Sequence, residues 1–279
     1  MLTVPVRQLG EAERPAIERL LDRDPYASAQ VAERVAARGL SWWRADGRIL
    51  GYGERRQVES LCWLGGHLTP VLASPAAVSA FADQLGGEDR ICSSIVGEAT
   101  AVLGLWERLA EPWGPARDVR PNQPLLATAD EAPIRPDPQV RLVRGGEVDR
   151  LFPAAVAMYT EEVGVSPLAE DGGRSYRRRV TELVRSRRAY ARFIDGEVAF
   201  KAELAVVTRQ TAQVQGVWVA PSWRGRGIAA AAMAAVVKDA LVRVAPSVSL
   251  YVNDYNTAAR RVYERCGFRS VGTFATVLF

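Results

Sequence analysis

The chain has 279 residues, enough for one large domain or two ordinary ones, and its 48% apolar and 24% charged residues exclude a disordered, collagenous or fibrous protein. The formal charge is +4, but every basic residue except Lys201 and Lys238 is an arginine, and 32 acids nearly offset the 36 bases, which argues against a dedicated nucleic-acid binder. No apolar run reaches the roughly 18 residues of a membrane helix, and the opening MLTVPVRQLGEAERP lacks the basic start and apolar block of a secretion signal, so a cytoplasmic protein with no membrane partner is expected.

In chain order, VPVRQL reads as a strand and residues 17–21 and 31–37 as parts of two helices. The strands SWWRA, RILGYGE and VESLCWL follow, then a turn-like GGHLTP, the helix PAAVSAFADQ, the strand RICSSIV and the helix ATAVLGLWERL. Pro112, Pro115, Pro121, Pro124, Pro133, Pro136 and Pro138 then crowd a stretch in which neither a helix nor a central strand is expected, apart from a short strand, QPLLAT. The domain boundary is placed there: residues 1–130 form one domain, 131–138 a Pro-rich linker and 139–279 a second domain.

The second half opens with the short strand QVRLV and two amphipathic helices, carried by Val148, Leu151, Phe152, Ala155, Val156 and Tyr159 and by Tyr176, Val180, Leu183 and Val184. Three strands come next, AYARFI, EVAFKAELAVV and QTAQVQGVWVAP. A Gly-containing loop, SWRGRG, leads into the helix IAAAAMAAVVKDALVRV, the strand VSLYV, a helix over 257–265 and a final hairpin, RSVGTFATVLF. This alternation predicts a mixed α/β sheet, and the fainter echo of it in the first half suggests an internal duplication.

Cys62, Cys92 and Cys266 are odd in number and set among apolar residues, so they read as reduced core cysteines. His67 is the single histidine and sits in a turn, which leaves no basis for a metal site. The chemistry is concentrated in VWVAPSWRGRGIAAAAM. There an apolar strand runs through Arg224, Gly225, Arg226, Gly227, Ile228 and Ala229 into a long helix. Glycines let a backbone approach an anion, and a helix N-terminus adds partial positive charge, so the loop is expected to cradle a pyrophosphate. Neither a P-loop nor a dinucleotide fingerprint fits these residues.

This loop resembles the R/Q-x-x-G-x-G/A signature of the GCN5-related N-acetyltransferases, preceded by a V-x-V-x-P strand end at Val217–Pro221. The stretch NDYNTAARRVYERCGFRSVG is similar to that family's last block, with Asn256, Ala258, Tyr263, Gly267 and Phe268 in order. The resemblance covers residues 139–279 and implies the family's α/β fold there; the first half, whose GGHLTPVLASPAA has Pro70 and Pro75 and no glycine pair directly before its helix, is expected to be a degenerate, non-catalytic copy. It implies acetyl-CoA as cofactor, held by the backbone from Arg224 to Ala229, by Val217, Trp218 and Val219, and by Asn256, which could equally cap its helix. Val219 N–H would polarise the thioester and Tyr263 would protonate the departing thiolate, although Tyr263 also reads as a packed helix aromatic.

The implied acceptor is a primary amine, on a small molecule or on a protein or peptide. Here the sequence departs from the family, because Gln213 and Gln215 occupy the strand where many relatives carry a glutamate. Glu203 on the preceding strand is one candidate base, with a solvated strand face as its bland reading. Glu161 and Glu162 at the end of the first helix are candidates for binding the amine, beside Tyr159, Ser166, Glu170 and Asp171. Arginines 174, 177, 178, 179, 185, 187 and 188 read as a solvated face, or as an anion-binding one. The alternatives to an N-acetyltransferase are a CoA-ester sensor without turnover, permitted by the missing strand glutamate, and a transferase for another acyl donor, as the layout of the tandem mycothiol synthases would suggest. A homodimer paired through the C-terminal hairpin is compatible with the sequence.

Overall fold

The computed structural model describes residues 6–38, 47–54, 57–169 and 171–279, and the chain runs twice through one succession of elements. The first pass is β1 (Arg7–Leu9), α1 (Arg14–Leu21), α2 (Ala29–Arg38), β2 (Arg48–Tyr52), β3 (Ser60–Leu64), β4 (Leu68–Val71), α3 (Pro75–Leu85), β5 (Ser94–Glu98), α4 (Ala99–Trp113) and β6 (Asp118–Thr128). The second is β7 (Arg141–Leu142), α5 (Val148–Val163), α6 (Arg174–Arg185), β8 (Ala189–Ile194), β9 (Glu197–Val207), β10 (Ala212–Val219), α7 (Ile228–Arg243), β11 (Val248–Tyr251), α8 (Thr257–Arg265) and β12 (Arg269–Leu278). The expected strand SWWRA and the candidate Glu170 lie outside the described residues.

Local chemistry accounts for most of these elements. Helix α1 carries a proline in its first turn, where a missing N–H does no harm, and buries Ile17, Leu20 and Leu21 at helical spacing. Helix α6 buries Val180, Leu183 and Val184 and turns most of its arginines outward. Helix α7 is apolar nearly all round, and Ala230, Ala232, Met233, Ala234, Val236, Val237 and Ala240 are all buried.

The chain divides into two compact units. The first gathers Met1–Leu126, Tyr251–Tyr255 and Ser270–Phe279, and its mixed sheet has the order β1-β2-β3-β4-β5-β12-β6. Leu50, Leu64, Phe81, Leu85, Leu105 and Val277 belong to one of its core clusters, and Ile17, Leu20, Ile49, Leu61 and Trp63 to another. The second unit gathers Ala127–Leu250 and Asn256–Arg269 around a sheet ordered β11-β10-β9-β8-β7, and Leu151, Ala155, Val180, Val184 and Ala191 share a core cluster in it.

Three expectations need correction. The proline-rich stretch begins inside a helix, α4, which contains Pro112, and holds a longer strand than expected, because β6 runs from Asp118 to Thr128 through Pro121 and Pro124. Pro124 lacks an N–H but its carbonyl accepts from Val252 N–H at 3.2 Å, as Asn122 accepts from Asp254, so the ladder uses the one polar group proline keeps. The C-terminal hairpin is a single strand: β12 passes straight through Gly272 and pairs antiparallel with β5 within the chain, from Phe274–Glu98 to Leu278–Ser94. The turn-like GGHLTP also supplies a strand, β4, parallel to β5 at Leu68–Ile95 and antiparallel to β3.

Candidate active site

In the second unit β10 and β11 pair in parallel at only two positions among the described residues, Ala212–Val248 and Gln213–Ser249. Strand β10 then continues with β9 alone, through Trp218–Lys201 and Val219–Phe200. Ala220 N–H donates to Ala199 at 3.0 Å, so by strand alternation the N–H of Val219 lies on the edge of β10 that β9 does not use. A register shift between Gln215 and Trp218 sets three steps of β10 against two of β9, a bulge that contains Gly216 at φ +57. Bulges re-aim a strand's polar groups, and this one lies just before Val217 and Val219.

The strand ends in a short 3-10 turn, Pro221–Trp223, and the loop beyond has both glycines in the left-handed region, Gly225 at φ 73 and Gly227 at φ 75. A Cβ at either glycine would meet nothing within 4 Å, so the space beside them is open, and Gly227 is the N-cap of α7 with no side-chain hydrogen bond. The first N–H groups of α7, from Ile228 and Ala229 on, are therefore left uncapped by any side chain, which is the arrangement that receives phosphate groups. Arg224 donates through Nε to the Val219 carbonyl at 3.0 Å, and Arg226 stacks on the Trp223 ring with its guanidinium carbon 4.7 Å from the centroid.

Tyr263, on α8, is buried against Phe268, and its hydroxyl has no hydrogen-bond partner among the described residues. Burial, with smaller contributions from Glu162 and Cys266, raises its pKa well above the usual phenol range, so the proton stays on at neutral pH. Asn256 caps α8, accepting from Ala259 N–H at 3.1 Å through Oδ1, which leaves its amide nitrogen for other partners. Of the acids, Glu161 accepts from Arg224 at 2.6 Å and from Trp218 Nε1 at 3.2 Å, tying the end of α5 to the glycine loop. Glu162 is near enough to raise the pKa of both Tyr176 and Tyr263. Glu203 is buried and stands in register with Gln215 on the neighbouring strand.

The sequence reading missed a group that the fold brings together around Glu203. Lys201, 2% exposed, donates to Glu203 at 3.2 Å and to the Gly216 carbonyl at 2.9 Å, while Arg179 of α6 reaches Glu203 at 3.5 Å. Tyr176 donates to the Ala155 carbonyl, and its ring centre lies 5.1 Å from that of Tyr159. The signal was available: a Lys-x-Glu pair set in the otherwise apolar EVAFKAELAVV, using one of only two lysines in the chain.

The residues read as inert are buried or engaged. Cys62, Cys92 and Cys266 are buried free thiols, and burial pushes Cys266 up to about 11. His67 Nδ1 lies 2.7 Å from Ser94 Oγ in the first unit. In α6, Arg177 pairs with Asp149 while Arg178 and Arg185 stay on the solvent side.

Residues 152–268 match the family model described as Acetyltransferase (GNAT) family, and residues 47–151 match a domain of unknown function, DUF4081. The chain thus carries a GCN5-related N-acetyltransferase domain, and the protein is an acyltransferase by that membership. Among solved structures it is similar to an acetyltransferase of the GNAT family from Colwellia psychrerythraea, with TM-score 0.58 and 13% identity over 98% of this chain and 99% of that one. A Drosophila protein gives TM-score 0.69 at 13% identity over 98% of each chain, and a GCN5-related N-acetyltransferase from Kribbella flavida gives 0.56 at 18% over 90% and 93%. At these identities the likeness is one of fold. No curated protein matches the chain. No helix among the described residues is long and apolar enough to cross a membrane.

Proposed function

We propose that the second unit transfers an acetyl group from acetyl-CoA to a primary amine by direct attack in a ternary complex. The observation that carries this reading is the start of α7, where two left-handed, solvent-open glycines precede a helix N-terminus that no side chain caps, after a strand whose outer edge β9 does not use. The backbone from Arg224 to Ala229 would hold the pyrophosphate, and Val217, Trp218, Val219 and the Asn256 amide would hold the pantetheine arm. When bound, acetyl-CoA supplies an activated thioester. Val219 N–H would donate to its carbonyl, and Tyr263, whose buried hydroxyl keeps its proton, would give that proton to the departing sulfur.

The amine must lose a proton, and neither Gln213 nor Gln215 can take one. Glu203, one strand over from Gln215, is the carboxylate we place for it, with Glu161 and Glu162 on the acceptor wall. The test is calorimetric titration with acetyl-CoA beside the double variant G225A/G227A, followed by thiol-release assays over panels of small amines and peptides. Binding lost in the variant, with an amine that releases thiol, supports the reading. No binding by the intact protein ends it.

A second reading, a sensor of CoA esters without turnover, is favoured by the two glutamines and by the engagement of Glu161 with Arg224. Tyr263→Phe separates the two: it lowers turnover in an enzyme and changes nothing in a sensor.

A further inference from the structure

A charged pair buried in a sheet needs a reason, because taking a lysine and a glutamate out of water costs more than their attraction commonly returns. Lys201 and Glu203 are 2% and 7% exposed, and an apolar pair in their place would satisfy β9 equally well as a core strand. What an apolar pair would not supply is a donor for the bulge. The bulge removes one residue of β10 from the ladder, and the Lys201 ammonium takes up the Gly216 carbonyl at 2.9 Å. The fit is close: a Cβ on Gly216 would come 2.8 Å from Nζ, 3.1 Å from Met158 Cε and 3.2 Å from the Glu203 carboxyl carbon. Glu203, itself within 3.5 Å of Arg179, holds the ammonium in place. Because a trans peptide sends its C=O and its N–H in opposite directions, anchoring Gly216 O on Lys201 turns the Val217 N–H away from Lys201.

Resting on the acetyl-CoA reading above, we propose that Lys201 is a positioning residue: through the Gly216 carbonyl it sets the direction of the N–H groups of Val217 and Val219, and so decides how strongly the site polarises an acyl thioester as opposed to merely holding CoA. Its effect is on the acyl group, since Lys201 bonds the bulge at Gly216 and the glycine loop, residues 224–227, follows eight residues later.

The experiment compares the whole protein with K201M and K201R. Affinities for acetyl-CoA and for CoA are measured by calorimetry, and the carbonyl stretch of bound acetyl-CoA, labelled with carbon-13 at the carbonyl, by infrared difference spectroscopy. The expected result for K201M is an acetyl-CoA affinity down about tenfold, the worth of one hydrogen bond, with CoA affinity within about threefold. The downshift of the carbonyl stretch seen in the wild type is lost with it, and K201R restores part of both. A wild-type carbonyl shift that survives in K201M overturns the proposal while leaving the acetyl-CoA reading intact. Absence of any CoA binding by the wild type overturns both. Should K201M misfold around a stranded Glu203, the paired K201M/E203L variant removes both charges and is read by the same measurements with the same expected losses.

Discussion

Two helices occupy the same place in the two passes of the chain, α3 after β4 and α7 after β10, and they begin in opposite ways. Helix α3 is closed: Ser74 is its N-cap and accepts from Ala77 N–H at 3.2 Å, and Pro75 occupies the first position and has no N–H to offer. Helix α7 is open: its cap is a glycine with no side chain to offer, and a second left-handed glycine precedes it by two residues. The first start spends its donors on its own fold, while the second keeps them for a ligand. On the proposed function, one order of elements would serve a supporting unit and a working one through a few residues at one turn, and the closed start of α3 is our ground for proposing that the first unit is non-catalytic.

The largest expected effect comes from closing the open start. In G225A/G227A each alanine is forced to a positive φ at a strain of roughly 1 kcal/mol or more, and two methyl groups enter the open space beside the start of α7. Acetyl-CoA affinity should fall by about a hundredfold or more in calorimetry. Retained affinity would break the contrast, since the glycines would then be incidental. Next is Y263F: thiol release should fall about a hundredfold, the usual worth of a general acid, with acetyl-CoA affinity unchanged.

A smaller effect tests the closed start. S74A should lower stability by about 1 kcal/mol in thermal or denaturant unfolding without altering acetyl-CoA affinity. A change in cofactor affinity would show that α3 does take part in binding. The smallest is a pH effect away from both starts. Arg141, bonded to Glu147 at 2.7 and 2.8 Å, holds that carboxyl at about 2 against an ordinary 4.5. A depressed carboxyl contributes stability that is fully present above pH 4.5 and lost as the pH falls toward 2. E147Q should therefore lower the melting temperature at pH 7 and make little difference near pH 2, as melts at the two values would show.

What could be read in advance follows the range of the interactions involved. The glycine loop, its strand and the helix after it depend on neighbours in sequence, and glycine pairs and apolar runs declare them. The charged cluster was hidden because it is assembled from α6, β9 and β10: Arg179, Lys201, Glu203 and Gly216 look unrelated until the register of two strands is known. Of strand β6 only the second half, residues 123–128, was legible; residues 118–122 were hidden because they are mostly polar and include Pro121, although the Asn122 carbonyl serves the ladder. The last strand was read as a hairpin because nothing near Gly272 announces that its partner is β5.

That pairing of β12 bears on how the protein is made. In sheet order β12 lies between β5 and β6, so an interior strand of the first unit is synthesised after both of its neighbours. At roughly 5–20 residues per second, β5 leaves the ribosome about ten seconds or more before the strand that will cover it, with its edge open to any other strand that passes. The first unit would then be the earlier to emerge and yet unable to finish before residues 270–279 arrive, which predicts that a nascent chain halted before residue 270 binds holding chaperones and stays sensitive to protease in its first half. Protection of that half before residue 270 has emerged would show that it closes without its last strand.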